Sequence, residues 1–222
     1  MAQAIAETLF DIFYLGFDLI IGAILIKKSD KLLTKMFGYM TILLGAGDAF
    51  HLVPRAYSLW TTGLEANAKA LGFGKFVTSI TMTIFYLILF YIWMERYNKK
   101  DNKKLIYTMW GLSTARIALC FLPGNDWLSY IQPVSYGILR NIPFAIMGII
   151  VIVIFYQQAK LNNDRYFKNI PMAVFLSFAF YIPVVLFADA FPLVGMLMIP
   201  KTIAYMWIVY MGYNLFNSER TK

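Results

Sequence analysis

The chain has 222 residues, 60% of them hydrophobic and only 14% charged, with a mean hydropathy of +0.62. Soluble domains average about 45–50% apolar and about 25% charged residues, so a soluble globule of this size would lack the polar side chains to cover itself, and lipid is the expected surroundings. The net charge is +8, but no soluble segment gathers it on one face with aromatic platforms, which excludes a nucleic-acid partner.

In chain order, seven apolar runs are predicted to span the bilayer, near 8–26, 32–54, 73–94, 105–122, 135–156, 170–190 and 192–216. Each approaches the length of about 20 residues that a helix needs to cross a hydrocarbon core of about 30 Å. The runs are continuous rather than alternating, which argues against barrel strands. The reading is therefore an all-α integral membrane protein, one seven-helix transmembrane domain over 1–222. Met1 to Thr8 lacks a basic start and carries Glu7, so the first run is expected to stay in the mature protein. The last two runs are separated at Ala188-Asp189-Ala190-Phe191-Pro192, where Pro192 suits the first turn of a new helix.

Most of the 20 lysines and arginines fall on one side of this arrangement. Lys27, Lys28, Lys31 and Lys35 follow the first run, and Arg96, Lys99, Lys100, Lys103 and Lys104 follow the third. Lys160, Arg165 and Lys168 follow the fifth, and Arg220 and Lys222 close the tail. Cytoplasmic loops collect such residues, so the N-terminus is expected outside and the C-terminus in the cytoplasm, in the plasma membrane. The single cysteine, Cys120, leaves no internal disulfide and no thiolate cluster.

Ionisable residues inside spans are costly and usually turn towards the bundle interior. Glu7, Asp11, Tyr14 and Asp18 fall on one stripe of the first helix, and Asp48, His51 and Arg55 share a face of the second at i, i+3, i+7 spacing. Lys75, Arg116, Arg140 with Asn141, Asp189, and Lys201 with Tyr205 follow on the others. Lys201 lies about 13.5 Å past Pro192 at an α-helical rise, near mid-membrane. The reading predicts one polar cavity open to the outside, with Asp11, Asp48, His51, Arg55, Arg116, Arg140, Asn141, Lys201 and Tyr205 as ligand-binding residues. Cations exceed carboxylates there, which suits a small anionic or zwitterionic ligand, including a lipid head group. The function expected is that of a receptor-like or transport-related binding protein, with no metal and no cofactor. The alternative is a membrane-embedded hydrolase or lipid-modifying enzyme, with Asp48 orienting His51 as the acid–base pair.

Three short stretches carry resemblances. Gly45-x-Gly47-Asp48-x-Phe50-His51 loosely resembles a stretch of the seven-helix zinc hydrolases that include alkaline ceramidases and adiponectin receptors. Those enzymes use three histidines and this chain has one, so no zinc chemistry carries over. Lys201 on the last helix, with Phe180-Tyr181-Ile182-Pro183-Val184-Val185 on the one before, resembles the microbial rhodopsins. That resemblance implies retinal on Lys201 as a further alternative, with Asp11 or Asp48 as counter-ion, since Leu197 stands where those proteins keep an acidic residue. Glu95-Arg96-Tyr97 is similar to the acidic-Arg-Tyr motif of rhodopsin-like receptors, although their Asn-Pro-x-x-Tyr is missing.

With Cys120 removed, a cysteine placed within 98–103 should resist membrane-impermeant labelling in intact cells, while one at Asn67 should react. The reverse pattern would invert the orientation.

Overall fold

The structure is a computed structural model, and it describes residues 1–188 and 190–220. Asp189 and Lys222, both named above, lie outside the described residues. Seven α-helices follow one another: α1 Ala2–Lys28, α2 Leu32–Trp60, α3 Ala68–Tyr97, α4 Lys103–Cys120, α5 Val134–Leu161, α6 Ile170–Phe187 and α7 Met198–Arg220. Two 3-10 segments interrupt the connections, Pro123–Asn125 before α5 and Pro192–Leu197 before α7.

Local chemistry sets several of these boundaries. α3 stops at Asn98, which takes the left-handed conformation with φ of 50°, a backbone state that asparagine tolerates. The Asn102 side chain then accepts from the Leu105 N–H at 3.2 Å and starts α4. The break before α7 lies where the sequence places it, but 192–197 is a 3-10 segment rather than the first turns of an α-helix. Lys201 therefore sits in the first turn of α7, and its depth cannot be reckoned at an α-helical rise from Pro192.

Among the described residues, six helices are long and apolar enough to cross a membrane. α4 falls short, because Lys103 and Lys104 open it and Arg116 lies within it. Sequential neighbours pack together throughout, and α7 returns to α1 and α2, so the seven helices form a closed ring with α3 also touching α5.

Polarity is inverted relative to a soluble protein. Leu9, Ile12, Phe13, Ile149 and Phe175 are exposed, whereas Asp11, Asp18, Asp48, Arg116 and Lys201 are buried. An exterior of this kind is stable only in an apolar solvent, which identifies a multi-pass helical membrane bundle. Inside, aliphatic residues and methionines pack with many aromatic rings. Tyr86 meets Phe144 edge-on at 4.9 Å between ring centroids, and Phe85 meets Tyr205 at 5.5 Å.

The basic end of the bundle is latched. Arg96 Nε donates to Asp164 Oδ2 at 2.8 Å, the Tyr97 hydroxyl donates to the same oxygen at 3.1 Å, and the backbone N–H of Tyr166 donates to Oδ1 at 3.0 Å. At the same end Glu219 accepts from Thr34 at 3.0 Å and pairs with Lys31 at 3.2 Å, tying α7 to the start of α2. Burial pushes the Asp164 carboxyl up, but Arg96 and the backbone N–H groups outweigh it and hold the group below the usual carboxylate range. A carboxyl lowered by folding adds stability above its unfolded value, near pH 4, and that stability is lost as pH falls through the folded value. Asp164→Asn should therefore lower the melting temperature at neutral pH, by the equivalent of about 1–3 kcal/mol, and flatten the acid limb of stability measured below about pH 4.

Candidate functional site

The polar stripes converge on one cavity of about 330 Å³, at the end of the bundle opposite the Arg96–Asp164 latch. Eight of the nine ligand-binding residues proposed from the sequence line it: Asp11, Asp48, His51, Arg55, Arg116, Arg140, Lys201 and Tyr205. Asn141 does not. It donates to the Gly137 carbonyl at 2.8 Å and accepts from the Tyr181 hydroxyl at 3.2 Å, so it orients a wall residue instead.

One wall is acidic and already engaged. Arg55 clamps Glu7 in bidentate fashion, Nε to Oε2 at 2.8 Å and Nη2 to Oε1 at 3.2 Å. Behind it, the buried Tyr14 hydroxyl donates to Asp48 Oδ2 at 2.8 Å. His51 makes no hydrogen bond with Asp48 among the described residues, and its buried Nδ1 has no partner.

The facing wall is cationic, with Arg116, Arg140 and Lys201. Arg140 Nη1 donates to Asn125 Oδ1 at 2.9 Å, and its guanidinium lies 4.3 Å over the Trp127 ring. Asn125 is itself fixed by donating to the carbonyls of Leu119 and Leu122, which closes the end of α4. Arg116 is only 2% exposed. Its guanidinium lies 3.3 Å from the centre of the Phe144 ring, and both Nε and Nη1 are buried without a hydrogen-bond partner among the described residues. Lys201, from α7, holds its ammonium 5.4 Å and 5.2 Å from the Tyr181 and Tyr205 ring centres. These cation–π contacts offset part of the desolvation of each charge but supply no oxygen acceptor.

Sequence reasoning gave no site role to Trp127, Phe144 or Asn125. Aromatic residues are so abundant in this chain that packing and recognition look alike in sequence, and Asn125 lies in an irregular segment between helices. The segment after α4 folds over the cavity, with Trp127, Gln132 and Pro133 among its lining. It rests on α3 at Gly72, where a Cβ would collide with the Trp127 carbonyl.

The chain matches no family model, no curated protein and no solved structure. The site must therefore be read from its own geometry.

Gly72→Ala should push this covering segment away, loosen the Arg140–Trp127 stack, and lower stability by about 1–3 kcal/mol, the usual penalty for overpacking. Gly111→Ala, at a helical glycine with nothing within 4 Å of the new Cβ, should be neutral or stabilising, and thermal denaturation monitored by tryptophan fluorescence compares the two.

Proposed function

We propose that this chain is a receptor-like or transport-related membrane binding protein whose cavity takes a small anionic or zwitterionic molecule or a lipid head group. In this reading all seven helices cross the plasma membrane, with the N-terminus outside and the cavity opening outwards. The basic, latched end then faces the cytoplasm.

The observation that carries the reading is Arg116. A buried guanidinium keeps its charge and has five N–H donors to satisfy. Here Nε and Nη1 find no acceptor among the described residues, and an unpaired buried charge is strongly unfavourable. A carboxylate or phosphate in the cavity would supply the missing acceptors, with Arg140 and Lys201 nearby to share the charge. Asp11 and Asp48 on the opposite wall suit an ammonium or hydroxyl at the other end of the same ligand.

Binding is favoured over catalysis because the Asp48 carboxylate accepts from Tyr14, and no Asp48–His51 hydrogen bond forms among the described residues. A second reading has one specific observation behind it. Lys201 is 5% exposed, lines the cavity between two tyrosine rings, and has Asp48 as the carboxylate whose charge reaches it, which is the setting a retinal Schiff base would require. A visible absorption band on adding retinal, abolished by Lys201→Ala, would favour that alternative.

The primary test is ligand-induced thermal stabilisation with succinate and with simple organophosphates as probes. Wild type should be stabilised by at least one of them, and Arg116→Gln should weaken the apparent affinity about 30-fold or more, the factor equivalent to about 2 kcal/mol for a buried charge partner. The unliganded Arg116→Gln protein should melt no lower than wild type, since it loses an uncompensated charge. A fold that collapses without Arg116, together with no stabilisation by either anion, would show that the residue is purely structural.

A further inference from the structure

We infer that Asp18 is a proton-binding site coupled to the cavity, exchanging its proton with Asp48 through Tyr14, so that occupancy of the cavity by an anion is linked to protonation. This inference rests on the anion-binding reading above and adds a second ligand, the proton, at a residue outside the cavity lining.

Asp18 is completely buried, and neither carboxylate oxygen has a hydrogen-bond partner among the described residues. Its place against α2 depends on Gly45, where a Cβ would come within 2.9 Å of the Asp18 Cβ and 3.6 Å of Oδ2. An ionised carboxylate with no donor in such surroundings is far less favourable than the neutral acid, which retains its own proton. A neutral acid with no partner is itself poorly satisfied, so packing alone does not account for an aspartate there.

α1 packs against α2 and α7, and the ionisable groups that face Asp18 are few. Tyr14 lies one turn earlier on its own helix, and Asp48 of α2 accepts from the Tyr14 hydroxyl. Lys201 and Tyr205 of α7 line the cavity together with Asp48. Tyr14 and Asp18 are four residues apart and share a helix face. A phenol can donate and accept at once, and Tyr14 already donates to Asp48 Oδ2 at 2.8 Å. The transfer balances as follows: once the Asp18 carboxyl turns to Tyr14 on the same helix face, its O–H proton passes to Tyr14 Oη while the Tyr14 proton passes to Asp48 Oδ2. Tyr14 stays neutral, Asp18 becomes the anion, and Asp48 becomes the acid, one proton having moved. Asp48 lines the cavity, so its proton exchanges with water there.

The sign of the coupling follows from charge. With Asp18 protonated, the Asp18–Asp48 pair carries one negative charge, and Lys201 and Arg116 remain free to hold an anion. Ionising Asp18 adds a second negative charge beside the cavity and weakens anion binding. By reciprocity, a bound anion makes the Asp18 proton harder to remove.

Infrared difference spectroscopy of the detergent-solubilised protein, with succinate as the probe anion, tests this directly. Wild type at neutral pH should show the C=O stretch of a protonated aspartic acid, shifted by isotopically labelled aspartate and missing in Asp18→Asn. The band should disappear at alkaline pH and persist to higher pH with succinate present, and Tyr14→Phe should slow its hydrogen–deuterium exchange. If Asp18→Asn fails to fold, the isotope shift and the Tyr14→Phe exchange rate in otherwise native protein carry the test. No protonated-aspartate band in the labelled wild type, or a band that Asp18→Asn leaves unchanged, would overturn the proton site. The band is read without ligand, so a protein that keeps it but ignores succinate contradicts the cavity reading and the coupling while leaving the site at Asp18.

Discussion

A charge turned inwards in a helical membrane bundle meets no bulk water, so it must be answered by another group inside the bundle. The arginines show what this requirement does. Arg96 is answered by Asp164, Arg55 by Glu7, and Arg140 by the Asn125 carbonyl oxygen and the Trp127 face. Arg116, the most deeply buried of these, has the Phe144 ring, and its Nε and Nη1 have no hydrogen-bond partner among the described residues. The cavity, its covering segment and several aromatic rings surround that cation.

The two ends of the bundle differ in kind. At the basic end, ion pairs join α3 to the α5–α6 turn and α7 to the start of α2, which holds the helices together. At the other end the helices surround a space of about 330 Å³ lined by charged groups, among which Glu7 and Arg55 are paired. Asp48 lines the cavity and accepts from Tyr14, which shares a face of α1 with the buried Asp18.

Much of this was legible in the sequence because charges are rare in apolar runs. Asp48, His51 and Arg55 stand out by spacing alone, and Arg116, Arg140 and Lys201 stand out because nothing apolar needs them. The helices were legible for the same reason, long apolar runs broken by basic clusters. Pairing was not legible. Glu7 and Arg55 are 48 residues apart, and no one-dimensional spacing joins them. The place of Asn141 off the cavity lining was not legible either, because adjacency to Arg140 does not reveal that its amide donates back to its own helix. The 3-10 segment at 192–197 was hidden too, since Pro192 opens either kind of helix equally well. The covering segment around Trp127 owes its position to a backbone contact at Gly72, which leaves no pattern in sequence.

The account stands or falls on what lies against Arg116. An experimental structure of the protein extracted from its own membranes, at a resolution that shows bound small molecules, measures this directly. The account predicts density for a molecule with a carboxylate or phosphate oxygen within hydrogen-bonding distance of Arg116 Nε or Nη1. A protein carboxylate paired with Arg116, or a cavity filled by a neutral molecule that leaves the guanidinium untouched, would contradict it.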